Sequence, residues 1–264
     1  MSVEIGAVAA RERRQVIAEL LDEEGRVSVA ELAERFGVTD VSIRRDLVIL
    51  EDAGQLRRVH GGAVAPARGR RDGAFATKAR ENRDLKVRIG AAAASLIRPD
   101  DVVVFDSGST VAQVAVHTPA ALRRGSAITV VTNSLPVVEE IAGWDGPHLI
   151  VLGGLYLADH QALVGPQTVA DLRELSADVV FIGCDGLTDD SGLTTPHVLV
   201  AEVGATMVSR AARVVAVADA TKLGRRGLTP IAPLSSIHVL VTNAEADPAQ
   251  LRVVQDAGIE VVLA

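Results

Sequence analysis

The sequence predicts an α/β chain in two parts, a small helical module ending in a hairpin over residues 10–65 and a Rossmann-like, mostly parallel, helix-covered sheet over residues 91–264, joined by a linker and connecting helix at 66–90. Three observations carry this reading. Residues 28–62 place two short capped helical stretches, a tight turn and a glycine-tipped basic hairpin in immediate succession. Residues 66–73, PARGRRDG, have the proline, glycine and charge of a linker and no periodicity. Beyond residue 100, short β-branched runs alternate with helical stretches, the rhythm of parallel strands buried on both faces.

Residues 10–24 form an amphipathic helix with Val16, Ile17, Leu20 and Leu21 on one face, and residues 1–9 fray. The second helix starts at Ser28, whose hydroxyl accepts from the Glu31 amide while the Glu31 carboxylate reaches back, a capping box stapled by Val27 and Leu32. Leu32 and Phe36 continue the apolar stripe, and Gly37 suits a left-handed close. Thr39 caps the third helix, Val38 and Ile43 repeat the staple, and the helix runs to about Ala53, where Gly54 stops it. Ile43, Leu47 and Leu50 share one face; Val41, Arg44, Arg45 and Val48 turn away from it. Gln55 to Val59 and Ala63 to Val64 make a hairpin with His60-Gly61-Gly62 at its tip and Arg57 and Arg58 on its stem.

Two helices joined by a short glycine turn, followed by such a hairpin, make a winged helix-turn-helix, whose second helix enters the major groove of duplex DNA with its N-terminal residues at the base edges. Asp40, Val41, Ser42, Arg44 and Arg45 occupy that end, with Thr39 and Ser28 at the caps. Arginine pairs bidentately with guanine, serine bonds any base edge or phosphate, and valine suits a thymine methyl. Arg57, Arg58, His60, Gly61 and Gly62 of the wing suit backbone phosphates. Arg44 and Arg45 also have Asp46, Glu51 and Asp52 within reach as alternative partners.

In the second part, strands are expected at 101–106, 128–132, 149–152, 178–183, 213–218, 238–242 and 259–263, with helices at 110–117, 134–142, 166–175, 197–211 and 248–257, preceded by a helical pattern from Phe75 to Ile97. Open sheets of this kind bind ligands beyond the carboxyl ends of their strands. Those ends are polar and glycine-rich: Asp106-Ser107-Gly108-Ser109-Thr110, Asn133-Ser134, Gly153-Gly154, Asp185 within Gly183–Gly186, and Lys222 after Asp219. Gly108 lets the backbone approach a ligand, and Ser109 and Thr110 stand at the positive end of a helix, a phosphate cradle. The inventory suits a phosphorylated polyol, with amides and Lys222 for the phosphate and Asp106, Asn133 and Asp185 for hydroxyls. Helix capping by Asp106 and Ser107, a plain turn at Gly153-Gly154 and a solvated Lys222 are the alternatives.

Other classes fall away on composition. With 264 residues, 48% apolar and 23% charged, the chain is globular, and its apolar runs are too short to cross a bilayer. One cysteine, Cys184, excludes a disulfide framework, and the six histidines lack ligand spacing, so no metal and no cofactor is expected. No targeting segment is recognisable, which makes the cytoplasm the expected location. No Walker loop and no G-x-G-x-x-G follows a strand. Aromatic residues at 2% argue against a stacking platform for single strands. The net charge of −7 is uneven: −3 over residues 1–65, +5 over 66–90 and −9 over the rest. A weak field implies reliance on specific contacts and dimeric binding.

The motifs Gly25-x-Val-Ser-Val-x-Glu-Leu, Ile43-Arg-Arg-Asp-Leu47 and Arg58-Val-His-Gly-Gly-Ala63 resemble those of the DeoR family of bacterial transcriptional regulators. Asp106–Thr110, Val131–Ser134, Gly153-Gly154, Val164-Gly165, Gly183–Gly186, Gly192–Thr195 and Asp219–Lys222 resemble that family's sugar-phosphate sensor domain, similar in fold to ribose-phosphate isomerases and CoA transferases. The resemblance covers residues 10–264 and departs only in hydroxyl exchanges at Thr39, Ser42 and Ser109. It implies a regulator, most often a repressor, that binds operator DNA as an oligomer and is released by a phosphorylated sugar or a related metabolite. The competing class is a sugar-phosphate isomerase or transferase carrying a DNA-binding head, with Asp106, Asp185, Glu202 and Lys222 as proton carriers. A constitutive DNA-binding protein with a purely structural partner domain is the third reading.

Overall fold

The computed structural model describes residues 10, 12–21, 25–52, 55–59, 61–64, 74–125 and 127–264. The chain divides into two compact units, Met1–Asp72 and Gly73–Ala264. Ala53, Gly54, His60, the linker residues 66–73 and the first nine residues lie outside the described residues.

The first unit holds α1 (12–21), β1 (Arg26–Ser28), α2 (Val29–Phe36), α3 (Asp40–Asp52), β2 (Arg57–Val59) and β3 (Gly62–Val64). Its core gathers the helical faces read from periodicity: Ile17, Leu20 and Leu21 of α1, Leu32 of α2, and Ile43, Leu47 and Leu50 of α3, with Val27 and Ala63 of the sheet. Each such side chain, fully buried, contributes about 1.5–3 kcal/mol. Ser28 caps α2, its Oγ accepting from the Glu31 amide at 3.1 Å, and Gly37 closes it at φ 62°. The wing is a three-stranded antiparallel sheet in the order β1-β3-β2, not the two-stranded hairpin expected. β1 escapes notice because it is three residues long and its last, Ser28, is also the N-cap of α2. Its pairing assigns the two wing glycines different duties. Gly61, exposed at φ +81°, turns the tip and offers its carbonyl to the Val29 amide at 2.9 Å. Gly62 is buried, and a Cβ there would collide with the Val27 carbonyl oxygen, so it is a packing glycine.

In the second unit, β4 (Val102–Phe105), β5 (Thr129–Thr132), β6 (His148–Val151), β9 (Ala177–Ile182), β12 (Ala211–Val217), β14 (Val239–Thr242) and β15 (Glu260–Leu263) build one parallel sheet in the order β15-β14-β12-β9-β4-β5-β6. Alternate residues feed opposite cores. Val103, Phe105, Val179, Phe181, Val215 and Val217 pack with α5 (Arg83–Ala94), α6 (Ser109–Val116) and α7 (Leu135–Ile141), and the Phe105 and Phe181 rings stack at 5.5 Å. Val104, Val180, Ile182, Val214, Ala216 and Leu240 pack on the other side with α8 (Pro166–Arg173), α9 (Val198–Arg210) and α10 (Pro248–Asp256). Two-sided burial is what continuous valine runs require.

Five further strands are absent from the sequence reading. β7 (Leu155–Leu157) and β8 (Ala162–Val164) form a hairpin around the 3-10 turn Ala158–His160, and β10 (Gly186–Thr188), β11 (Gly192–Thr195) and β13 (Thr229–Ala232) form an antiparallel sheet. All are three or four residues long, too short to carry a periodic signal, and β10, β11 and β13 are also rich in Gly, Thr and Pro. The helical stretch expected from Phe75 to Ile97 is two helices, α4 (Ala74–Arg80) and α5, broken at Asn82, whose φ is +52°. Residues 73–90 belong to the second unit. No helix of the described residues is long and apolar enough to cross a membrane.

Candidate functional site

The reading end of α3 is built by its cap and by a clamp behind it. The Ser42 amide donates to Thr39 Oγ1 at 3.3 Å, and the two hydroxyls lie 3.1 Å apart, starting the helix at Asp40. Asp46, buried on the opposite side, accepts from Arg13 Nε at 2.6 Å and Arg14 Nη1 at 3.0 Å, both on α1. This overturns the alternative in which Asp46 neutralises Arg44 or Arg45. Both reading arginines are exposed and without an ion pair to any described residue, and beside them Val41 is 75% exposed. Asp40 is exposed and Ser42 half-buried at the same end. Glu51 takes Arg58 instead, receiving its backbone amide at 2.9 Å and its Nε at 2.5 Å, so the wing stem is fastened to α3. Ser28 spends its hydroxyl on the α2 cap. Arg57 contributes the first residue of β2; His60 lies outside the described residues.

The second unit opens a cleft at the carboxyl ends of β4, β9 and β12. It is lined by Asp106, Ser107, Gly108, Ser109 and Thr110, by Gly183, Cys184 and Asp185, and by Asp219 and Lys222. Gly108 stands at φ +135° with open space where a Cβ would be, at the N-terminus of α6, so the 108–110 amides are available to an anion. The sequence reading missed Phe75, Lys78, Lys86, Asp159, His160 and Thr195, which also line it. Lys78 comes from α4 and donates to Asp185 Oδ1 at 2.6 Å; Thr195 from β11 donates to Asp185 Oδ2 at 3.0 Å. Lys86, buried on α5, donates to the Glu81 carbonyl at 2.7 Å and to the Lys78 carbonyl, holding the end of α4. No local pattern marks these residues, because they converge from separate elements. Lysine at the positions facing the cleft, 78 and 86, eight apart on the helices before β4, is the one signal available.

Four residues expected in the cleft lie elsewhere. The β7–β8 hairpin follows β6 and takes up the end of β5: Asn133 Nδ2 donates to the Leu163 carbonyl at 2.9 Å, and buried Ser134 pairs with Ala162. The Gly153 carbonyl accepts from Thr168 Oγ1 at 2.6 Å, and a Cβ on Gly154, at φ +147°, would strike Thr168 and Val164. Gly153 and Gly154 are thus exposed turn residues tied to α8 and β8, outside the lining of the cleft. Among the described residues, the cleft lining at the strand ends comes from β4, β9 and β12.

The charges of the cleft are coupled. Burial pushes the Asp106 carboxyl up to about 7 against the hydrogen bonds of Ser107 and Gly183. Burial also works to raise Asp185, but the hydrogen bond and charge of Lys78, with Thr195 and Lys222, outweigh it and hold that carboxyl below the ordinary value. Lys86 is lowered by burial, against the pull of Asp219. Cys184 is pushed to about 12 by burial and then by Asp185, which leaves an inert thiol. Three lysines, free helix amides and one carboxyl that neutralises near pH 7 give the cleft the capacity to take an anion with hydroxyls beside it.

Comparison with known proteins covers both units. The DeoR-like helix-turn-helix domain matches residues 13–68, and the DeoR C terminal sensor domain matches residues 81–244. The HTH-type transcriptional regulator GlpR of Haloferax volcanii is 35% identical over 95% of this chain and 96% of its own length. The transcriptional repressor AccR of Agrobacterium fabrum is 32% identical over 92% of this chain and 95% of its own. The HTH-type transcriptional repressor GlcR of Bacillus subtilis is 29% identical over 96% and 95%. Among solved structures, a ribose 5-phosphate isomerase of Methanocaldococcus jannaschii is similar, with 18% identity and a TM-score of 0.39 over 54% of this chain and 55% of that one. The enzyme reading yields to these full-length relatives, which are named regulators. The chain belongs to the DeoR family: it is a DNA-binding transcriptional regulator with a helix-turn-helix head and a ligand-sensing domain.

Proposed function

We propose that the protein is a repressor that holds operator DNA as a homo-oligomer and lets go when a phosphorylated sugar fills the cleft of its second unit. The observation that carries this is one cleft lined by Lys78, Lys86 and Lys222 together with the open Gly108 loop at the start of α6. Phosphate at that loop meets helix amides and ammonium groups, while Asp106 and Asp185 offer partners for hydroxyls. Two of the similar regulators are named repressors, which supports release rather than activation. The reading calls for no cofactor and no metal, and places the protein with its operator in the cytoplasm.

The coupling has a physical route. Lys78 sits on α4, the first described element after residues 65–73, which lead from the wing. A phosphate competing with Asp185 for Lys78 biases the position of α4, and with it the tether of the DNA-binding unit. A ligand that binds only the native state raises its apparent stability. Thermal-shift titration with hexose and pentose monophosphates should raise the melting temperature of the wild type, and Lys222→Ala should abolish the shift. No shift with any of them would remove the sugar-phosphate reading.

A further inference from the structure

Two histidines beside the cleft remain outside the phosphate-binding set. His160 closes the 3-10 turn between β7 and β8 and lines the cleft; His197 is the residue that precedes α9. Their rings meet edge to face at 5.6 Å and 63°. Nδ1 and Nε2 of His160 and Nδ1 of His197 are buried without a hydrogen-bond partner. A buried polar atom left unpaired is costly, and such groups in a native fold point to a missing partner. Thr195, two residues before His197, is fastened to Asp185 at the cleft floor, so the turn bearing His197 is held in place.

The partner's chemistry follows from the rings. Burial, then the charge of Lys78, then His197 depress the ionisation of His160, so the ring is neutral. A neutral imidazole offers one N–H donor and one bare acceptor nitrogen, the pair that matches a hydroxyl group. A cation is a poor occupant: among the described residues no group of three His, Cys, Asp or Glu is placed to hold a metal ion. A second phosphate is also disfavoured, because a neutral ring brings no positive charge to an anion.

We infer that His160 and His197 form the specificity end of the cleft and pair with hydroxyl groups of a polyol chain whose phosphate lies at the Gly108 loop. The inference rests on the effector reading above and deepens it: the anion end sets that a phosphate binds, and the imidazole end sets which sugar is accepted. Sites that hydrogen-bond a hydroxyl reject analogues lacking it, since their own polar groups are then left unpaired.

The test is isothermal titration of the full chain with inorganic phosphate, methyl phosphate, ribose 5-phosphate, fructose 1-phosphate and fructose 6-phosphate. Wild type should bind at least one sugar phosphate tenfold or more tightly than methyl phosphate. His160→Leu and His197→Leu should erase that preference while changing the Kd of inorganic phosphate less than twofold, which also shows that the fold is intact. His160→Gln, which keeps a donor and an acceptor, should restore part of it and serves should the Leu variant fail to fold. Sugar-phosphate affinity unchanged in both Leu variants overturns the inference and leaves the anion site standing. Wild type that binds inorganic phosphate but no sugar phosphate more tightly also overturns the inference alone. Wild type that binds none of the five overturns the effector reading, and the inference with it.

Discussion

Asp106 is where the binding site works against the stability of the fold. Its folded value of about 7 exceeds the ordinary carboxylate value of 3.8, so the folded state favours the protonated acid. Below about pH 4 both folded and unfolded chains are protonated and the residue costs nothing; as pH rises toward 7 the unfolded chain ionises first, and stability falls by up to roughly 4 kcal/mol. Asp106→Asn should therefore be more stable than wild type at pH 8, with the advantage shrinking toward pH 4 in chemical denaturation. A difference independent of pH would show that the carboxyl is not held in its neutral form. On α3, Arg44 and Arg45 face solvent while Asp46 is occupied by Arg13 and Arg14. Arg44→Ala or Arg45→Ala should cost about 1–3 kcal/mol of specific DNA binding where the arginine reads a base, and chiefly flatten the salt dependence where it meets a phosphate. Binding by both variants indistinguishable from wild type would mean that this face does not enter the groove. Residue roles were legible where they depend on neighbours in sequence, as at Ser28, Thr39 and Gly108. The places of Lys78, Lys86 and His160 in the cleft were not, because they reach it from separate elements.

At the scale of elements, the clamp from α1 to Asp46 holds α3 in place. Asp46 is buried, and removing it leaves two part-buried guanidinium groups without their shared partner. Asp46→Ala should lower the stability of the first unit by about 1–3 kcal/mol, less than the roughly 3–5 kcal/mol of a fully buried pair because Arg13 and Arg14 retain some solvent. Calorimetry should show the DNA-binding unit melting earlier while the transition of the α/β unit stays put; a shift in the latter alone would contradict the clamp. The seven parallel strands were readable because valine-rich runs must be buried on both faces, and every one appears within a few residues of its expected place. The short strands β1, β7, β8, β10, β11 and β13 were not, since three or four residues are too few to show a period. That omission had a consequence for the site. Without the β7–β8 hairpin, the end of β5 looks open, and Asn133 and Ser134 look like ligand residues rather than buried residues held against that hairpin.

At the scale of the whole molecule, a net charge of −7 sits on a protein that grips a polyanion. Contacts with phosphate are salt-sensitive, so a protein of this charge relies on its reading helix for selectivity, and, in the homo-oligomer proposed above, on the spacing of two heads as well. Under the proposed function the sensing unit would act by changing the population of the arrangement that fits that spacing; a ligand shifts such a balance only by its differential affinity for the two states. The most direct measurement is fluorescence anisotropy of a duplex selected by the protein from a random pool, titrated with wild type and with Lys222→Ala in the presence and absence of a sugar phosphate that binds the wild type. The two proteins should bind the duplex equally well without ligand, and the sugar phosphate should weaken binding by the wild type and leave the variant bound. Undiminished DNA affinity of the ligand-loaded wild type, or release of the variant to the same extent, would contradict the coupling of the cleft to the DNA-binding unit.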